Sequence, residues 1–217
     1  RPEKYCANSL SLPTPFLTMI DRITGYWPTG GEFGLGRFRS EQDVEEDAWY
    51  FKAHFFQDPV QPGSLGIEAM IQVLQFAMME MDLGNGMDSP RFEPIGLGTE
   101  LTWKYRGQVR PWNEKVNVVL DIQETGTDSK GAFAIAKASL WADGMRIYEA
   151  ANLGMRIVDD KPKADVIDPE ADVWLKDHRP TWTVPVLPMM SMVDRIASAA
   201  QKERPSACLK GLTNIFS

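Results

Sequence analysis

The chain has 217 residues, 43% hydrophobic and 24% charged, enough for one sizeable core with an extension. Its formal charge of −7, with no cluster of Lys and Arg, argues against a nucleic-acid partner, because phosphate binding needs a basic patch. The two cysteines, Cys6 and Cys208, form neither a metal-ligand spacing nor a disulfide framework, and no apolar run is long enough to span a membrane. A reducing, cytoplasmic setting is expected on these grounds. The start at Arg1 rather than Met reads as a piece of a longer polypeptide.

The pattern along the chain predicts an α+β fold with one dominant helix. Residues 34–40 and 48–55 are expected as aromatic-rich strands joined by an acidic loop over 41–47. Two turn signals follow, Gln57-Asp58-Pro59 and Gln61-Pro62-Gly63. A helix is predicted from Ser64, as its N-cap, to about Asp82, and a loop over 83–94. Beyond that the pattern is strand-like. Residues 100–110 and 115–123 alternate, 125–130 reads as a turn, and 132–141 and 145–156 flank Asp143-Gly144, a strong hairpin signal. Residues 159–172 are polar with Pro162 and Pro169, and read as a linker before a different segment at 173–217.

The helix is apolar around almost its whole circumference, so it should be buried. Glu68, Gln72 and Gln75 break that wall at i, i+4 and i+7 and share one face. A buried carboxyl tends to hold its proton, and a protonated carboxyl is what a general acid needs. The alternative is a Glu solvated at a crevice, with the two Gln side chains satisfying the core. One of only two histidines, His54, precedes Glu68 by fourteen residues. Between them lie Pro59, Pro62 and Gly63, so the chain turns from His54 back over the helix start. There the free N–H groups of Gly63 and Ser64 could hold a thioester carbonyl oxygen. A base, an acid and an oxyanion site are the parts that proton abstraction beside a thioester requires.

HFFQDPVQPGSLGIEAMIQVLQF (54–76) resembles the active-site segment of bacterial β-hydroxydecanoyl-acyl-carrier-protein dehydratases. LPTPFLTMIDRITGYWPTGGEFGLGRF (12–38), YRGQVRP (105–111) and DGMRIYEAANLGMRI (143–157) resemble other parts of that family, so the likeness spans nearly all of residues 10–158. It is closer still to dehydratase domains of polyunsaturated fatty acid synthases, which are related to polyketide synthases. The resemblance implies a hot-dog fold over 1–158, a long helix wrapped by an antiparallel sheet. It also implies a site shared across a hot-dog pair, either a homodimer or a tandem, embedded among other synthase domains.

By position the resemblance makes His54 the catalytic base and Glu68 the acid. Gly63 supplies the N–H that polarises the thioester carbonyl, and the Val60 carbonyl orients the His. Gln72 stands one turn beyond the acid, and Phe55 and Ser64 join the substrate-binding set. No metal or organic cofactor is implied, since the acyl chain arrives on the phosphopantetheine of an acyl carrier protein. Ile71 or Leu74 would line the chain tunnel unless they are simply core. Two residues depart from the stand-alone decanoyl enzymes, which have Asp where this chain has Glu68 and Cys where it has Ser64. Glu is usual in sister dehydratases that do not isomerise, so dehydration to the trans-2-enoyl thioester is expected, with trans-2/cis-3 isomerisation in question. Competing readings are a hot-dog scaffold that only binds acyl carriers and a hot-dog thioesterase.

In the C-terminal segment, Asp177-His178 followed by Pro188 resembles the opening of a polyketide-synthase dehydratase hot dog. Asp194 lies six residues past Pro188, as Glu68 lies six past Pro62. The Gly expected soon after the His is missing. PMMSMVDRI (188–196) alternatively aligns with PFLTMIDRI (15–23) as the start of a second copy. Either reading gives a second, incomplete hot dog.

Overall fold

Strict alternation of apolar residues builds the largest part of the molecule. The computed structural model describes residues 10–13, 16–55, 57–93, 98 and 100–159, all within one compact unit, Arg1–Lys161. Apart from Asp159, the linker read over 159–172 and the segment 173–217 with His178 and Asp194 lie outside the described residues.

The strands are β1 (Arg22–Trp27), β2 (Arg37–Asp43), β3 (Pro90–Glu93), β4 (Thr102–Tyr105), β5 (Lys115–Asp128), β6 (Gly131–Ala142) and β7 (Met145–Asp159). They pair antiparallel in one seven-stranded sheet, in the order β1-β2-β5-β6-β7-β3, with β4 also on β7. Helices α1 (Trp49–Ala53) and α2 (Gly63–Glu80) complete the described elements.

The inner face of β6 explains how the sheet accepts the helix. Its buried residues are Ala132, Ala134, Ala136, Ala138, Leu140 and Ala142, nearly all small. Small side chains let α2 approach the middle of the sheet, while larger residues on flanking strands close around it. Register shifts between Ile122 and Glu124 on β5, and between Ala136 and Ala138 on β6, add local bend, as bulges do. The helix buries Met70, Val73, Leu74, Ala77 and Met78 completely. Each of its large apolar side chains contributes about 1.5–3 kcal/mol to that burial. A curled antiparallel sheet around one long helix is the hot-dog fold, as the α+β reading expects. Leu74 is wholly buried and Ile71 nearly so, both in the apolar core.

Several local expectations need correction. Residues 48–55 form not a strand but the short helix α1. Its aromatics favour strand by propensity, but Tyr50 and Phe51 are consecutive and both buried, which a two-faced strand does not allow. Glu45, Glu46 and Asp47 lie immediately before it, where negative charge favours a helix start. The strand expected over 34–40 begins three residues later, because Gly34 (φ +69°) and Gly36 (φ +133°) are still in turn geometry. Its far end absorbs the first part of the supposed acidic loop, where Arg22 binds Asp43 at 2.6 and 2.7 Å. Strand β5 runs on through Asp128, past the turn expected from residue 125. The loop over 83–94 contains β3, and only Thr102–Tyr105 of residues 100–110 is strand. At Asp143-Gly144 both φ angles are positive, +48° and +81°, as a type I′ hairpin requires. The Asp143 carboxylate accepts from the Lys115 and Glu114 N–H groups, tying that hairpin to the start of β5.

Candidate active site

The chain leaves α1 at Ala53 and His54 takes an extended conformation. The His54–Phe55 peptide is cis, and Gln57 sits at φ +61°. Phe55 N–H donates to Asp58 O and Asp58 N–H to Phe55 O, at 3.2 and 3.3 Å, closing a tight turn. Val60 then binds His54 twice. Its N–H donates to the His54 carbonyl at 2.8 Å, and its own carbonyl lies 3.0 Å from His54 Nδ1. A carbonyl can only accept, so Nδ1 carries the proton and Nε2 of the neutral ring is a lone-pair base. The ring is half-buried and lies 3.7 Å, centroid to centroid, from the exposed ring of Phe55. Gln61 N–H donates to Val109 O at 2.9 Å, fastening the turn to the chain that leads into β5.

Helix α2 starts earlier than the sequence suggests, with its N-cap two residues before Ser64. Pro62 is the N-cap, Gly63 the first helical residue, and no side chain caps the end. Ser64, the expected cap, is exposed in the first turn. The N–H groups of Gly63 and Ser64 have no intrahelical acceptor and stand at the positive end of the helix dipole. Trp103 and Tyr105, two residues apart on β4, lay their rings over this start. A Cβ added at Gly63 would meet Tyr105 at 3.0 Å and Trp103 at 3.1 Å. One turn on, Tyr148 of β7 packs so closely on Gly66 that a Cβ there would lie 1.9 Å from its ring. Burial, then neighbouring Tyr105, pushes the Tyr148 phenol well above the usual range, so it stays protonated. Trp103, Tyr105 and Tyr148 are absent from the sequence-derived site. The alternation Trp103-Lys104-Tyr105, aromatic on one face only, is the signal that could have found the first two.

Glu68, two residues past Gly66 on α2, is half-buried. Its Oε1 accepts from Gln72 Nε2 at 2.8 Å. Gln72 is wholly buried and every polar site on its amide is engaged. Nε2 also donates to Leu17 O at 2.9 Å, and Oε1 accepts from Met19 N–H at 2.8 Å. The structure thus gives Gln72 a place behind Glu68, held by the chain segment before β1. Gln75 shares the face and is buried, and its Oε1 has no hydrogen-bond partner among the described residues.

Among the described residues no hydrogen bond or ion pair joins His54 to Glu68; their partners are Val60 and Gln72. A cleft of about 750 Å³ opens beside Phe16, Met19 and Trp49, and neither His54 nor Glu68 lines it. Among the described residues no group of three or more His, Cys, Asp and Glu could hold a metal ion. None of their helices is long and apolar enough to cross a membrane. Chemically, the segment offers a base with its free nitrogen defined, a helix start with two available donors, and a carboxyl oriented by one amide.

A family model described as the FabA-like domain matches residues 12–151. Among solved structures, the dehydratase heterocomplex ApeI:P from Xenorhabdus doucetiae is similar, with TM-score 0.44, 10% identity and coverage of 69% of this chain and 87% of that one. The fluoroacetyl-CoA thioesterase FlK gives TM-score 0.40 at 14% identity, covering 57% of this chain and 85% of that one. A mutant thioesterase from Pseudomonas aeruginosa gives TM-score 0.40 at 11% identity, covering 63% and 80%.

Proposed function

The chain belongs to the FabA-like family of hot-dog domains, and we propose that it dehydrates 3-hydroxyacyl thioesters to trans-2-enoyl thioesters. The observation that carries this reading is the hydrogen bond from His54 Nδ1 to Val60 O, which leaves Nε2 as a free base on the turn that leads into the start of α2. In the reaction His54 Nε2 takes the α-proton. The electron pair moves toward the thioester oxygen, which the Gly63 N–H stabilises, with Ser64 beside it. The β-hydroxyl leaves as water with a proton from Glu68, and the enoyl double bond forms between the α and β carbons. The proton gained by His54 and that lost by Glu68 are re-equilibrated through solvent, so no cofactor is consumed. Phe55, exposed and tilted against the His ring, borders the approach of the acyl chain.

The substrate is proposed to arrive on the phosphopantetheine arm of an acyl carrier protein, within a fatty acid or polyketide synthase of the polyunsaturated type. Glu rather than Asp at position 68 supports dehydration as the main outcome and leaves trans-2/cis-3 isomerisation in question. That no bond joins His54 and Glu68 among the described residues fits a site in which each serves a partner hot dog.

The test is turnover of 3-hydroxyacyl thioesters of graded length, with product analysis for trans-2-enoyl, cis-3-enoyl and free thiol. His54→Ala and Glu68→Gln are each expected to lower dehydration by about 10²-fold or more with the fold intact by circular dichroism. Near-normal turnover in either folded variant overturns the assignment. Binding without enoyl product would instead mark a scaffold, and release of free thiol a thioesterase.

A further inference from the structure

The amide of Gln72 has a direction, and main-chain atoms far away in sequence set it. Met19 N–H can only donate, so the atom facing it at 2.8 Å must be Gln72 Oε1. Leu17 O can only accept, so the atom facing it at 2.9 Å must be Nε2. A flipped amide would set oxygen against oxygen at Leu17 and N–H against N–H at Met19, both inside a site with no water access to Gln72. The second Nε2 hydrogen is therefore committed to Glu68 Oε1, at 2.8 Å. A carbonyl oxygen is a better acceptor than a carboxylic hydroxyl, so the oxygen that accepts this hydrogen is disfavoured as the carrier of the acid's proton. We propose that Leu17–Met19 is a positioning strap for the general acid. Through Gln72 it holds Glu68 Oε1 as an acceptor and assigns the transferable proton to Oε2.

The inference rests on the dehydratase reading for its catalytic consequence, though not for its geometry. Gln72 and the strap act through Glu68 and are positioning groups. The strap needs no particular side chain for this, since both contacts are main-chain atoms. Misplacing a reacting group by about 1 Å can cost about 10²-fold in rate, so a loosened acid should show in kcat before KM.

Gln72→Glu is the sharpest probe. Its carboxyl can still accept from Met19 N–H, but buried and protonated it has at most one hydrogen to donate and cannot serve both Leu17 O and Glu68. In the full-length chain, kcat for the 3-hydroxyacyl thioester is expected to fall about tenfold or more, with KM within about twofold. If that variant does not fold, replacing residue 19 by the α-hydroxy analogue of methionine removes that N–H and leaves every side chain in place. The expected result there is a severalfold fall in kcat, again with KM little changed. A kcat within about twofold of the parent in either folded variant overturns the proposal. Nuclear magnetic resonance supplies a readout free of activity. The two Gln72 Nε2 protons should exchange slowly in the parent and fast after the ester change at residue 19. Should the parent turn over no 3-hydroxyacyl thioester, the dehydratase reading fails alone. The strap is then judged by that exchange, and fast exchange in the parent would refute it.

Discussion

At Gly66 two effects of opposite sign meet, and magnitudes decide between them. Replacing Gly by Ala inside a helix ordinarily gains about 1 kcal/mol. Here the new Cβ would lie 1.9 Å from Tyr148 Cε2 and 2.7 Å from Cδ2, and Tyr148 is only 1% exposed. A ring that deep in the core cannot swing away without displacing its neighbours, and overpacking of this kind costs about 1–3 kcal/mol or more. The clash should win. Gly66→Ala is expected to lower stability by about 1–3 kcal/mol in chemical denaturation, and the double variant with Tyr148→Leu to recover much of it. A Gly66→Ala protein more stable than the parent would show that the ring does not bear on the helix. The catalytic candidates were legible at this scale because their chemistry is in their side chains. A lone His before a Pro-Gly turn and a Glu on an apolar helix stand out. Leu17 and Met19 do not, since what they contribute is an N–H and a C=O that every ordinary residue has.

Elements were legible in proportion to the regularity of their burial. Strand β6 alternates without exception and β5 over most of its length, and the Asp143-Gly144 turn between β6 and β7 names itself by chemistry. Strand β1 has no such pattern, because none of Arg22–Trp27 is fully buried and nothing in the sequence separates an inner from an outer face. Helix α1 is too short for a helical period to show. What fixes the loop between β1 and β2 is charge. Arg37 binds the Asp121 carboxylate of β5 at 2.6 and 2.7 Å, and Glu32 N–H donates to it at 3.1 Å. The Arg37 hydrogen bond is the main reason that Asp121 ionises below the usual carboxylate range, against an opposing push from its burial. Its folded pKa is lowered, so the stabilisation is full above the unfolded carboxylate range, near 4, and is lost as pH falls through the folded value. Asp121→Asn is expected to cost roughly 1–2 kcal/mol at pH 7, at the low end for a charged hydrogen bond because Arg37 is partly exposed. The gap in Tm between parent and variant should close as pH is lowered from about 5 toward 2. A gap that stays constant across that range would mean that the ion pair contributes nothing.

For the whole molecule the question is whether His54 and Glu68 of one chain serve the same site. Each of the two residues is held by its own neighbours, His54 by Val60 and Glu68 by Gln72, and no bond connects them among the described residues. Strand β4 points to a surface on which a second hot dog could complete the site. All four of its residues are exposed, and among the described strands it pairs only with β7. Among the described strands nothing covers the other edge of β4, which lies beside the exposed rings of Trp103 and Tyr105, and an isolated domain would usually protect such an edge. Those same rings lie over Gly63, so a partner joining here would close over the helix start. A site shared in this way makes a prediction that a site within one chain cannot. Dimers of His54→Ala and dimers of Glu68→Gln should each be nearly inactive. Unfolding and refolding the two together gives mixed dimers, in which one site has both residues intact and the other has neither. With random pairing, half the dimers are mixed and half their sites are whole, so about a quarter of the parent activity should return. No recovery from a mixture shown by light scattering to be fully dimeric would place His54 and Glu68 in one chain's site. A fully active monomer would remove the need for a partner altogether.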